Sequence, residues 1–109
     1  MFGWSIFRVH GDSMVPTLQH GDYVIAKRND EAVSMGTVVV IQHPNFGNIV
    51  KRVISQESEN LFRVQGDNPD STTSETIGPI DQQAINGEVR WRISRKGMAK
   101  FRPDWHAPN

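Results

Sequence analysis

Residues 37–54, TVVVIQHPNFGNIVKRVI, carry the clearest structural signal in the chain. Two runs rich in β-branched residues, 37–41 and 49–54, lie on either side of the turn pair Pro44-Asn45. Short runs of this kind, bounded by turn residues, are typical of β-strands. The stretch therefore predicts two strands joined by a turn.

The same pattern recurs along the chain at residues 6–9, 23–26, 61–64 and 89–93. No segment has a sustained apolar period of 3.6 residues, and the one helical turn we expect covers residues 14–19. Residues 66–79 are almost entirely polar, which predicts a long loop, and long ordered loops are often functional. We predict a mostly β fold of antiparallel, partly closed sheets with at most one short helical turn.

Length and composition limit the possible classes of protein. The 109 residues suit one domain, 1–109, with a basic C-terminal strand and tail at about 89–109. Twelve basic and twelve acidic residues leave no net charge that would draw the whole molecule to nucleic acid or membrane. The absence of cysteine excludes disulfides and thiolate sites and suits the cytosol, so we expect a cytoplasmic protein.

The amino-terminal residues 1–7 are apolar, but Arg8 ends the run far short of the ~20 residues that a membrane span needs. They also lack a basic leader and a cleavage site, so we expect neither a span nor a signal peptide.

Ser13 and Lys51 are candidates for a nucleophile and its base. A serine hydroxyl needs a neighbouring group to take its proton, and a neutral amine can do so. A free lysine titrates about 3.4 units above neutral pH, a deficit of about 4.6 kcal/mol. Burial can lower a lysine pKa by up to ~5 units, and strand alternation puts Lys51 on one face with Ile49 and Val53. The alternatives are an ordinary turn serine and a lysine that guards an edge strand.

Four segments in order carry a family resemblance: Ser13-Met14-Val15-Pro16-Thr17-Leu18, Gly21-Asp22-Tyr23-Val24, Lys51-Arg52-Val53 and Gly66-Asp67-Asn68. Over residues 9–89 the chain resembles the catalytic domains of type I signal peptidases. His43-Pro44 and the Gly-Asp-Asn-Pro start of the last segment are most similar to the small proteases that mature nickel-type superoxide dismutase.

The resemblance implies that Ser13 is the nucleophile and Lys51 the general base, with Met14 packing beneath the serine. The backbone N–H of Ser13 would then bind the oxyanion. Some relatives place a hydroxyl donor two positions before the serine, but Gly11 occupies that position here, so only backbone could help. No cofactor is implied.

The last segment departs from the family pattern. Aligning the loop backwards from its end puts Ser71 at the serine that supports the lysine, whereas aligning it forward from its start selects Thr72. The family's aspartate and arginine are replaced by Thr73 and Glu75 in the first alignment. This puts the rigidity of the loop in question.

Two further sites are conceivable. Ser13 could instead pair with His10, His20 or His43 in a serine–histidine–aspartate triad. No two histidines have metal-ligand spacing, so we expect no metal site.

Residues 90–102 hold six of the 12 basic residues, a composition that can bind nucleic acid or an acidic surface. Strand alternation explains this composition equally well, and we expect no nucleic-acid partner.

The sequence thus predicts a serine endopeptidase with a Ser13/Lys51 dyad that removes an N-terminal segment from a protein precursor, its expected partner. One alternative is a self-cleaving regulatory peptidase similar to LexA, which also uses a Gly-x-Ser-Met turn and a strand lysine. The other is a non-catalytic binding module on the same β scaffold.

Overall fold

The computed structural model describes residues 3–28 and 30–101. Its strands are β1 (Trp4–Arg8), β2 (Tyr23–Lys27), β3 (Val38–His43), β4 (Gly47–Ser58), β5 (Leu61–Gln65), β6 (Ile80–Asp81), β7 (Ile85–Ser94) and β8 (Gly97–Lys100). A helical turn, α1 (Ser74–Ile77), precedes β6, and a 3₁₀ turn (Gln82–Ala84) follows it. All eight strands belong to one sheet, which does not close. The predicted mostly β, antiparallel class is confirmed.

The sheet has the order β1-β2-β7-β3-β4-β5-β6, and β8 adds to β7. Every pairing is antiparallel. The hairpins β1–β2 and β3–β4, which carry the candidate site residues, are therefore not neighbours. Strand β7 lies between them and pairs with both β2 and β3.

Strand β3 is buried on both faces, which explains its continuous run of branched aliphatic residues. Alternate residues enter two different clusters. The first core cluster comprises Val9, Met14, Leu18, Val24, Ala26, Val38, Val40, Val50 and Val89. The second core cluster comprises Val33, Val39, Ile41, Val53, Phe62, Val64, Ile77, Ile80 and Ile85.

The helical turn does not lie where the sequence predicts it. Residues 14–19 form hydrogen-bonded turns in which the Leu18 amide donates to the Met14 carbonyl at 2.9 Å, but no helix. Pro16 lacks an N–H and cannot contribute to a helical ladder. The helix forms instead inside the predicted loop 66–79, where the Thr73 hydroxyl caps α1 by accepting from the Thr76 amide at 3.3 Å.

The basic C-terminal segment is more regular than predicted. Its strand begins at Ile85 rather than at residue 89, and the added strand β8 turns back along it. The remainder of the predicted tail, residues 102–109, lies outside the described residues. Among the helices of the described ranges, none has the length and apolar character needed to traverse a bilayer.

Candidate active site

Ser13 lies in the turns that connect β1 to β2. The Val15 amide donates to the Asp12 carbonyl at 3.1 Å, which closes the turn around the serine. Met14 is 1% exposed and Leu18 is fully buried, and both belong to the first core cluster. The side chains that flank Ser13 therefore fasten its turn to the core, while Ser13 itself remains half-buried.

Lys51 lies in the middle of β4, directly opposite Val39 of β3. Its neighbours Ile49 and Val53 on the same strand face pack with the second core cluster, in agreement with the predicted alternation. Lys51 is only 6% exposed, and burial lowers the pKa of its amine below the ordinary value of 10.5. The neutral amine, the form able to accept a proton, is therefore favoured more than in an exposed lysine.

Ser13 and Lys51 line the same cavity, which has a volume of about 260 Å³. The other lining residues are Arg8, Val9, His10, Phe46, Asn48, Ile49, Val50, Thr72 and Ile77. Within the described ranges, no hydrogen bond joins the Ser13 hydroxyl to the Lys51 amine. Catalytic hydrogen bonds are often long in unliganded enzymes and tighten only when substrate is bound.

The Gly-Asp-Asn segment packs directly on the serine turn. The Asn68 amide donates to the Ser13 carbonyl at 2.9 Å, and the Asn68 side-chain amide donates to the Asp12 carbonyl at 3.0 Å. A Cβ atom at Gly66 would lie 2.3 Å from the Ser13 carbonyl oxygen, so only glycine allows this approach. The segment therefore fixes the backbone of the candidate nucleophile.

An ion pair joins this segment to the lysine strand. The Arg52 guanidinium donates from Nε to Asp67 Oδ1 and from Nη2 to Asp67 Oδ2, both at 2.8 Å, and from Nη1 to the Gly36 carbonyl at 2.7 Å. The Thr17 hydroxyl donates to the same carboxylate. Burial alone would raise the pKa of Asp67, but hydrogen bonds from Arg52 and Thr17 and the Arg52 charge hold it below its ordinary value. Asp67 thus ties β4 to the serine turn.

The two backbone amides that could bind an oxyanion, those of Gly11 and Ser13, differ in whether they already donate a hydrogen bond. The Gly11 amide donates to His20 Nδ1 at 2.8 Å and is therefore occupied. By contrast, the Ser13 amide donates to no acceptor within the described part of the chain. Of these two backbone groups, only the Ser13 N–H is available to a ligand in this conformation.

The structure separates the two candidates for the supporting hydroxyl. Thr72 lines the cavity shared by Ser13 and Lys51. The Ser71 hydroxyl instead lies next to Gly66, 2.6 Å from the position of an added Cβ. Thr73 caps α1 and Glu75 is exposed in its first turn, so a capped helical turn occupies the place of the family's aspartate and arginine.

The histidines have other partners. His43 is buried, with Nε2 2.9 Å from the Ile77 carbonyl, and its Nδ1 accepts from the amides of Asn45 and Phe46. A histidine that accepts at Nδ1 must donate from Nε2, so His43 fastens the β3–β4 turn to the end of α1. The His10 ring borders the cavity and contacts the His20 ring, with centroids 6.0 Å apart. In the described residues, none of these three bonds to Ser13.

Phe46 and Asn48 are among the cavity residues that no motif in the sequence marked. Phe46 lines the cavity from the β3–β4 turn and is 47% exposed, and Asn48 lines it from the beginning of β4. The turn pair Pro44-Asn45 predicted the reversal, but no pattern in the sequence indicated that it reaches the serine. The contact of His43 with the Ile77 carbonyl at the end of α1 helps to hold the turn in that position.

An open antiparallel sheet with a turn serine and a buried strand lysine on one cavity is the arrangement expected for the signal peptidase/LexA-like class of serine peptidases. Residues 4–90 match the model of the Peptidase S24-like family, and the chain belongs to this family. A search of curated proteins found no match. Membership confirms the predicted resemblance at the level of the family and supports a serine peptidase.

Proposed function

We propose that the protein is a serine endopeptidase in which Ser13 is the nucleophile and Lys51 the general base. The observation that carries the proposal is the shared cavity, which is lined both by the half-buried Ser13 and by the buried Lys51, whose pKa is lowered by burial. Family membership supports the same reaction class.

In the proposed mechanism, the Ser13 oxygen attacks the carbonyl carbon of the scissile peptide while the neutral Lys51 amine takes the hydroxyl proton. The negative charge that forms on the carbonyl oxygen is bound by the unoccupied Ser13 N–H. Collapse of this intermediate breaks the C–N bond, and the Lys51 ammonium gives its proton to the leaving amine. Water, deprotonated by the same amine, then hydrolyses the acyl-enzyme.

The contacts around Ser13 and Lys51 support this mechanism by keeping the amine neutral and the hydroxyl in position. Burial removes water from Lys51, lowers the pKa of its amine and so keeps the amine available as a base. The bonds from Asn68 to the Ser13 turn hold the nucleophile in place, and Thr72 is the hydroxyl that we assign to the support of Lys51. Such positioning contributes several kcal/mol to catalysis in enzymes generally.

We propose that the substrate is an extended segment of a protein precursor, whose N-terminal part is released. Val9, Ile49, Val50 and Ile77 give the cavity an apolar wall suited to a small apolar side chain next to the cut. The resemblance of His43-Pro44 and of residues 66–69 to the small proteases that mature nickel-type superoxide dismutase favours that maturation as the reaction. With no cysteine in the chain, we propose a cytoplasmic location.

Cleavage of a diverse peptide library, read by mass spectrometry, tests the proposal. Wild-type protein should cut a subset of peptides, and Ser13→Ala and Lys51→Met should each lower the rate by at least about 10³-fold. The exposed residues Ser58 and Lys100 provide the matched controls Ser58→Ala and Lys100→Met, which should retain the wild-type rate. Turnover retained in Ser13→Ala or Lys51→Met, while both fold, would remove the dyad.

Self-cleavage is the second candidate, since family membership also fits a LexA-like peptidase. Incubation of the protein alone, followed by intact-mass measurement, separates the two. Self-cleavage within one molecule would proceed at a rate independent of protein concentration and stop in Ser13→Ala. A stable intact mass, together with cleavage of added peptides, would leave only the endopeptidase that acts on another chain.

A further inference from the structure

A second, larger cavity of about 610 Å³ lies where the beginning of β2 meets the β7–β8 turn. Its lining residues are Arg8, Gln19, His20, Gly21, Asp22, Arg92, Ser94, Arg95 and Lys96. Four of these are arginine or lysine and one is a carboxylate, an excess of three positive charges. The whole chain has no net charge, so this excess is a local feature. We refer to this site as the basic cavity.

One cation of the basic cavity is held firmly by the only carboxylate in its lining. The Arg92 guanidinium donates to Asp22 Oδ2 at 2.8 Å, and the same oxygen accepts from the Gln19 amide at 2.9 Å. Asp22 is 5% exposed, and its carboxylate forms an ion pair with Arg92 and a hydrogen bond with the Gln19 amide at the end of the serine turn. It does not neutralise the other cations.

The remaining cations, Arg8, Arg95 and Lys96, are exposed, and within the described ranges none forms an ion pair. The Lys96 amide donates to the Ser94 hydroxyl at 3.2 Å, which shapes the turn that carries two of them. Three cations, one from the end of β1 and two from the β7–β8 turn, therefore converge on one concave surface without a counterion from the described chain.

The basic cavity adjoins the candidate active site. Arg8 lines both cavities, and the next two residues, Val9 and His10, continue along the wall of the cavity that holds Ser13. A peptide extends about 3.3 Å per residue. An extended substrate in the Ser13 cavity would therefore bring a side chain within a few residues of the cut into the basic cavity.

The lining of the basic cavity does not suit a nucleic-acid strand, since the described residues that form it include no phenylalanine, tyrosine or tryptophan on which bases could stack. Arg90, in the same basic segment, pairs with Glu88 at 3.3 Å instead of extending the positive surface. Binding along a nucleic-acid strand needs a basic groove that tracks many phosphates, with rings for the bases. The basic cavity offers a single focus of charge, which matches the carboxylate of one or two acidic side chains.

We propose that the basic cavity is a specificity subsite that binds an aspartate or glutamate side chain of the peptide cut at Ser13. This inference rests on the proposed peptidase function. Because the contact lies away from the reacting atoms, it should act equally on bound substrate and transition state, and so lower KM rather than raise kcat. Exposed ion pairs are weak and screened by salt, so a preference of about 3- to 10-fold is expected at low salt.

The kinetic test uses peptides that the wild-type protein cuts, made in pairs with Glu or Gln at each position within about five residues of the bond. At one of these positions the peptide with Glu should have a KM about 3- to 10-fold lower than the peptide with Gln. In the double variant Arg95→Gln/Lys96→Gln the Glu/Gln ratio should fall to about one, whereas the control Lys100→Gln on β8 should keep the wild-type ratio. The absence of such a position, or an unchanged ratio in the double variant, would overturn the proposal.

A binding test separates failure of the subsite from failure of the peptidase. Ser13→Ala is titrated with fluorescein-labelled peptides that carry Glu or Gln at alternate positions, and binding is read by anisotropy at low and high salt. Tighter binding of the Glu peptide that is lost in Arg95→Gln/Lys96→Gln supports the subsite even if no peptide is cleaved by wild-type protein. Equal binding of both peptides overturns it, as does displacement of the Glu peptide by an equal concentration of inorganic phosphate.

Discussion

Gly66 lies so close to Ser13 that a single added methyl group should disturb the candidate nucleophile. A Cβ atom at Gly66 would lie 2.3 Å from the Ser13 carbonyl oxygen and 2.6 Å from the Ser71 hydroxyl oxygen. Cβ contacts under 3.0 Å essentially never occur, so the Ser13 carbonyl and the Gly66 backbone must move apart by at least 0.7 Å, the difference between 3.0 and 2.3 Å. That movement also disturbs the hydrogen bond from the Asn68 amide to the same carbonyl.

Displacement of a reacting group by ~1 Å can lower a rate by about 100-fold. We therefore expect Gly66→Ala to reduce kcat by about 10- to 100-fold, with an overpacking cost of about 1–3 kcal/mol in stability. The assay is kcat on a peptide cut by wild-type protein, at a temperature where circular dichroism shows the variant folded.

Gly87→Ala is the matched control, since an added Cβ there would lie 3.1 Å from Ala26 and from the Lys27 backbone, away from the serine turn. It should lower stability without lowering kcat. A folded Gly66→Ala that keeps the wild-type kcat would show that the position of the Ser13 carbonyl does not govern catalysis.

Two further predictions concern ionised groups. The value of kcat/KM should rise with pH through an apparent pKa below 10.5, because deprotonated Lys51 is the proposed base and burial lowers its pKa. A kcat/KM profile that rises only near pH 10.5 would contradict the role of a buried Lys51 as the base. Asp67→Asn should lower the free energy of unfolding, measured by urea denaturation, by about 2–3 kcal/mol, because the Arg52 side chain is 4% exposed and loses its counterion. The control Glu57→Gln, which breaks the exposed pair with Arg63, should lower it by at most about 0.5 kcal/mol. The pKa of Asp67 is lowered in the folded state, so the carboxylate stabilises the fold fully above the ordinary pKa of 3.8, and this stabilisation is lost as the pH falls through the lowered pKa. The difference in free energy of unfolding between wild type and Asp67→Asn should therefore shrink on acidification. A difference that stays constant would refute the stabilising role of the ionised Asp67.

The strands were predictable because their side-chain alternation is local. In β3 and β4 the β-branched runs coincide with strands whose alternate residues enter the two core clusters. The four-residue helix α1 was not predictable, because such a short helix has no periodicity and depends on its caps, Thr73 at the start and Gly78 at the end. The place of β7 in the sheet is likewise a long-range property that no local pattern encodes.

The candidate site was predictable to the extent that ordered motifs marked it. Ser13 and Lys51 were identified from their neighbours in sequence, and the fold brings both to one cavity. The sequence left open the choice between Ser71 and Thr72 because the loop has an altered spacing, and their different positions, Thr72 at the cavity and Ser71 next to Gly66, are set by the folding of the loop. The basic segment 90–102 was recognised in the sequence, but its meeting with Arg8 in one cavity and the pairing of Arg92 with Asp22 join residues far apart in the chain and were not predictable.

The position of β7 has a consequence for the order in which the molecule can be built. Ser13 belongs to the first hairpin and Lys51 to the second, and the strand that joins the two hairpins is not synthesised until residues 85–94. A growing chain can form each hairpin early, because local pairing closes short loops. The two halves of the cleft can be brought into register only after residues 85–94 have been synthesised, so a growing chain that still lacks β7 has not yet assembled the candidate site.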